Sequence, residues 1–99
     1  MREKGERKME LILLDGRKMT DRDSAHRYLK STLRLPSYYG SNLDALADSL
    51  SELSNGVYVI LFNIGDMTAS LGEYGDALLT VFEQTGNQPH GYRFLKQED

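Results

Sequence analysis

The chain is expected to fold as an α/β domain built on a three-stranded parallel sheet, and three observations carry that expectation. Three short apolar runs, Met9 to Leu14, Val57 to Phe62 and Gly91 to Lys96, have the length and turn-residue boundaries of strands. The segments between them repeat their apolar residues at helical spacing. The resulting order is strand, helix, helix, strand, helix, strand, which suits parallel strands joined by right-handed helical crossovers. At 99 residues and 39% hydrophobic content, the chain can bury one modest core and has no room for a second. A single domain over 9–96 is therefore expected, preceded by a charged leader, MREKGERK over 1–8, that should fray, and followed by a tail over 97–99.

The elements follow in order. Met9 to Leu14 (MELILL) is closed by the turn pair Asp15-Gly16. Thr20 with Asp23 three residues on resembles a capping box, and Ala25, Tyr28, Leu29, Thr32 and Leu33 share one face, predicting a helix over Asp21 to Arg34. It must stop there, because Leu35 precedes Pro36 and the pre-proline position disfavours helical angles. After the connector LPSYYG, Ser41 is the expected N-cap of a second helix. Asp44 complements that helix's dipole, and Leu43, Leu46, Leu50 and Leu53 form its stripe. Asn55-Gly56 ends it. The unbroken run VYVILF reads as a central strand covered on both faces. Asn63 to Ala69 is expected as a connector. Leu71, Tyr74, Leu78, Val81 and Phe82 then predict one long third helix, weakened early by Gly72 and Gly75, with Gly86 as its stop. GYRFLK is the last strand.

Charge is segregated along the chain. Residues 1–34 hold ten Lys/Arg against six Asp/Glu, whereas 35–92 hold seven Asp/Glu and no Lys/Arg. The acids of that span, Asp44, Asp48, Glu52, Asp66, Glu73, Asp76 and Glu83, project a negative field that repels nucleic acid and attracts a basic protein. An ordinary solubilising surface is the plain alternative. No cysteine is present, so disulfides and thiolate chemistry are excluded and a reducing compartment fits. No apolar run reaches the roughly 18 residues of a membrane span, and the charged start is not followed by a signal-peptide core. A cytoplasmic protein without membrane contact is expected.

Asp44, Asp48 and Glu52 recur every four residues and so stack on one helical face, where each like-charged pair costs about 0.2–0.5 kcal/mol in an isolated helix. No Lys or Arg in that helix relieves the cost, which points to a cation met from outside. Three helical carboxylates lack the loop geometry of a calcium site, with no histidine close in sequence. A carboxylate pair acting as acid and base would need a cleft that so small a domain hardly offers. His26 and His90 stand in no triad spacing, and Asn63-Ile64-Gly65 lacks the further glycines of a phosphate loop. No enzyme, metal or cofactor is expected. Tyr38 and Tyr39 precede the acidic helix; Tyr39 is assigned to the core, leaving Tyr38 as a candidate outward anchor.

Pro36 to Asp48 reads PSYYGSNLDALAD, which resembles the signature segment of the barstar family of ribonuclease inhibitors, where Tyr-Tyr-Gly-x-Asn-Leu-Asp-Ala-Leu leads into the inhibitory helix. The likeness extends over most of Met9 to Lys96. It implies a two-layer, barstar-like α/β fold with a three-stranded parallel sheet and about four helices, one of them short and placed at the Tyr38 connector. It implies an intracellular inhibitor or immunity protein whose partner is a basic, extracellular, guanyl-preferring ribonuclease of the barnase type. Tyr38, Asn42, Asp44 and Asp48 match family contact positions, with Asp48 the carboxylate that occupies the ribonuclease's phosphate pocket. Four contact positions depart. Ala47 and Leu53 stand where familiar members carry tryptophan, Glu52 replaces a glycine, and Gln84 replaces a glutamate, with Glu83 one place earlier. The thinner apolar contact leaves room for a different cationic effector, a related toxin, as the target.

Overall fold

A computed structural model describes residues 9–97. The expected leader over 1–8 and the end of the expected tail lie outside the described residues. Strand β1 (Glu10–Asp15) runs into a single 3₁₀ turn at Gly16–Lys18, followed by α1 (Arg22–Thr32), α2 (Leu43–Ser51), β2 (Val57–Phe62), α3 (Ile64–Leu71), α4 (Glu73–Thr85) and β3 (Arg93–Lys96). The sheet has the order β1-β2-β3, parallel throughout, with Ile12 opposite Val59 and Val59 opposite Phe94.

Alternation along the strands explains the layering. Successive strand side chains point to opposite faces, and Ile12, Leu14, Val59, Leu61 and Phe94 are buried whereas Leu11, Leu13 and Leu95 are exposed. The helices thus cover one face only. The expectation that β2 is covered on both faces fails: Tyr58, Ile60 and Phe62 are half-buried on the bare side. An unbroken apolar run reports a central position, which β2 has, but among the described residues its outer face is shielded only by neighbouring strands. The core joins that inner face to Leu29 and Leu33 of α1 and its end, Leu46 and Leu50 of α2, Met67 of α3, and Leu78 and Phe82 of α4. Phe82 stacks on Phe94 at 5.3 Å between ring centres.

Four further expectations are corrected. The capping box of α1 lies one residue later than Thr20/Asp23: the Asp21 side chain accepts from the Ser24 backbone, and the Ser24 hydroxyl lies 3.1 Å from the Asp21 N–H. Asn63 to Ala69 is mostly helix rather than connector. The single long third helix is two, because the chain breaks at Gly72, whose φ of 62° is a left-handed conformation that glycine tolerates best. Leu35 to Gly40 contains one turn, closed by the Tyr39 N–H donating to the Pro36 carbonyl at 3.0 Å, and no short helix. The four helices are thus completed by α3.

At the C-terminal ends of β1 and β2, the buried Asp15 carboxylate is enclosed by donors. It accepts from the Arg17 backbone and guanidinium and, at 2.9 Å, from Asn63 Nδ2. The Arg17 hydrogen bond leads the effects that hold its pKa down at about 2, outweighing burial. Asn63 itself adopts left-handed angles (φ 54°), and a Cβ on Gly16 would collide with its carbonyl, so this corner admits only glycine at position 16.

Candidate functional site

Helix α2 is anchored from within. Leu46 and Leu50 are fully buried, one turn apart on the face turned to the core. The opposite face carries Asp44, Asp48, Ser51 and Glu52, all exposed, while Ala47 and Leu53 are half-buried. Its N-cap is Asn42 rather than the expected Ser41: Asn42 Oδ1 accepts from the Ala45 N–H at 2.8 Å. Ser41 sits just outside the helix at φ 56°. A side-chain cap of this kind contributes about 1 kcal/mol.

The three carboxylates occupy different electrostatic positions along one helix. Asp44 lies in the first turn, where the dipole favours an anion. Glu52 is the C-cap residue with no basic side chain in the last turn, where the dipole opposes it. Asp48 lies between. Among the described residues, no ion pair engages any of the three.

The connector adds the aromatic part. Tyr38 is 85% exposed and Tyr39 only 9%, so of two adjacent tyrosines one is presented and one is an anchor. Tyr38, Tyr39 and Pro36 line a shallow depression together with Asp48 and Glu52. Asn42 and Asp44 border a second depression with Arg22, Asp23, His26 and Tyr74. Gln84 of α4 borders a third, across from Ser51 of α2. Glu83 is turned towards β3, where it accepts from Lys96 Nζ at 2.8 Å. Of the nine positions singled out from sequence, the fold therefore gathers Tyr38, Asp48 and Glu52 around one hollow, sets Asn42 and Asp44 on the adjoining side of α2, and directs Glu83 away from Gln84.

Behind this surface lies a cluster that sequence reasoning passed over. His26 is 3% exposed; its Nδ1 is 2.7 Å from the Tyr39 hydroxyl and its Nε2 is 2.6 Å from the Tyr74 hydroxyl. The Arg22 guanidinium lies 4.3 Å from the centre of the Tyr74 ring, a cation–π distance. Burial pushes the His26 pKa down, against a smaller upward pull from Asp23, and pushes both tyrosines up. Sequence separations of 13 and 48 residues hide these contacts. The available signal was three hydroxyl- or nitrogen-bearing residues on otherwise apolar helix and connector faces.

Among the described residues, no group of three or more His, Asp or Glu side chains is arranged to hold a metal ion, and no helix is long and apolar enough to cross a membrane. Fold and surface together define a small parallel α/β domain that presents a firmly anchored acidic helix beside an exposed tyrosine. The Barstar family, described as barnase inhibitor, matches residues 9–96. The chain is also 36% identical over 77 residues to the Bacillus subtilis (strain 168) protein named "Putative ribonuclease inhibitor YrdF", covering 77% of this chain and 85% of that protein. The chain belongs to the barstar family.

Proposed function

We propose that the protein is an intracellular inhibitor of a basic secreted ribonuclease, a guanyl-preferring enzyme of the barnase type, and that it works by occupying the enzyme's active site with α2. The carrying observation is Asp48: a solvent-facing carboxylate with no ion-pair partner among the described residues, on a helix fixed by Leu46 and Leu50, beside the exposed Tyr38. A phosphodiester-cleaving site collects Arg, Lys and His to hold an anion and its transition-state charge. One rigid carboxylate satisfies those donors by charge-assisted hydrogen bonds as a substrate phosphate would. Inhibition is then occupancy, and no bond is made or broken.

The other residues serve that placement. Asn42 fixes the start of α2, Asp44 and Glu52 extend the negative field that steers a cationic partner, and Tyr38 supplies the aromatic contact. Ala47, Leu53 and Gln84 complete the contact surface with little apolar or charged contribution, which shifts the binding energy towards charge. Glu83 contributes to the field while paired with Lys96.

The test is titration of a barnase-type ribonuclease with wild type and with Asp48→Ala, reading residual RNA cleavage. Truncating one member of a buried charge pair costs about 2–5 kcal/mol, so the inhibition constant should rise by about 30-fold to several thousand-fold. Unchanged inhibition by Asp48→Ala would falsify the phosphate-mimic role. Binding to a different cationic toxin in place of the ribonuclease would retain the fold's role and move the target.

A further inference from the structure

The connector that presents Tyr38 is tied at its start by the Arg34–Glu10 ion pair and by Leu35, whose N–H donates to the Lys30 carbonyl and whose side chain packs against the core; beyond that its attachments are few. It leaves α1 through Arg34 and enters α2 through Ser41, both at φ 56°, backbone angles that cost energy in residues other than glycine. Its own turn, Tyr39 N–H to Pro36 carbonyl, is local. Lys30 Nζ reaches the Ser37 carbonyl at 3.3 Å on the exposed side. The deep attachment is Tyr39, whose ring is buried and whose hydroxyl meets His26.

His26 is well suited to hold it. A neutral imidazole has one N–H and one lone pair, so it donates to one hydroxyl and accepts from the other. The two contacts therefore form one directed chain linking the connector, α1 and α4 through Tyr39, His26 and Tyr74, and hydrogen bonds in such a chain polarise and strengthen one another. Tyr39 also lines the hollow shared with Asp48 and Glu52, while His26 and Tyr74 border the hollow containing Asp44. The chain thus reaches both sides of the first turns of α2.

We propose that His26 is a positioning residue for the partner-binding surface: by holding Tyr39 against α1 and α4 it sets where Tyr38 and the first turn of α2 stand. This rests on the inhibitor reading above. A surface fixed before encounter loses less entropy on binding, so the bond is felt mainly in how long the complex lasts.

The experiment compares His26→Leu, Tyr39→Phe and His26→Gln, each checked for folding by circular dichroism, in binding to immobilised barnase. His26→Leu and Tyr39→Phe should dissociate about tenfold faster with an association rate within about twofold of wild type. His26→Gln, which can still donate and accept, should recover most of the lifetime. In a Tyr38→Ala background the His26→Leu effect should shrink to about twofold, because positioning couples the two sites whereas independent sites add. Unchanged dissociation, or full additivity with Tyr38→Ala, would overturn the proposal. A readout without partner separates it from failure of the inhibitor reading: amide hydrogen exchange. If wild type does not bind barnase, tenfold faster exchange over 37–42 in Tyr39→Phe, with β2 unchanged, still supports positioning. Wild-type exchange there sinks it whatever barnase does.

Discussion

The molecule has two contrasting surfaces. The bare side of the sheet exposes Leu11, Leu13 and Leu95, flanked by half-buried Tyr58, Ile60 and Phe62. The side built by α2 and its connector exposes, among the described residues, a single large hydrophobic, Tyr38, amid carboxylates. Greased area alone would pick the sheet as the binding face. Yet the sheet face offers contact without direction, whereas α2 offers charges on a fixed lattice with unmatched sign, and sign and spacing are what discriminate one partner from another. The sheet's three strands, about 4.8 Å apart with a rise of about 3.3 Å per residue, also span far less than the roughly 800 Å² per partner of a standard interface.

That contrast can be broken by experiment. The largest difference expected is between Asp48→Ala, at about 3 kcal/mol or more of lost affinity for a cationic ribonuclease, and Leu13→Asp, at less than about 0.5 kcal/mol. Equal losses in a binding titration would show that both faces engage the partner. Next comes the anchor beneath the acidic face. Leu46→Ala removes a fully buried side chain and should lower unfolding free energy by about 3 kcal/mol in urea titration. Asn42→Ala, which deletes the α2 cap, should cost about 1 kcal/mol by the same measurement and weaken binding with it.

The smallest effect is one of pH. His26 has its folded pKa depressed by burial against Tyr39 and Tyr74, with Asp23, Arg22 and Asp44 the charged groups nearby. A base with a lowered folded pKa binds more protons when unfolded. The stability it contributes is complete above about 6.5 and is lost as pH falls towards the folded value. Urea midpoints measured from pH 7.5 to 5 should fall for wild type, and this part of the slope should vanish in His26→Gln. Asp15 behaves as the depressed-carboxylate case: its contribution is present above about 3.9 and disappears as pH approaches about 2.

Legibility in the sequence followed the kind of signal. The bounds of β2 coincide with its apolar run, and β1 differs by one residue at each end, because turn residues mark both. Helix α3 went unseen, since it enters through left-handed Asn63 without a side-chain cap and has Gly65 in its first turn. Gly72 looked like a weak point inside one helix, and only its backbone angle reveals a break. The turn at Tyr38 was expected as a helix by resemblance, yet Pro36 and Gly40 enclose too few residues for one. At the candidate site, the acid spacing was readable because a helix converts sequence interval directly into geometry. The grouping of Tyr38 with Asp48, the pairing of Glu83 with Lys96 and the His26 bridge depend on packing between separate elements, which no local pattern encodes.

The parallel register has a consequence in time. Glu10 pairs with Val57, so the first two strands meet only after the 41 residues between them, including α1, the connector and α2, have been synthesised and folded back. Closing so long a loop is entropically costly and slow relative to local helix formation. Helix α2 therefore takes up its place against the completed sheet only once that closure is made. Under the proposed function, a cell that makes the target nuclease together with this chain would depend on the nuclease being slower to become active than the sheet is to close.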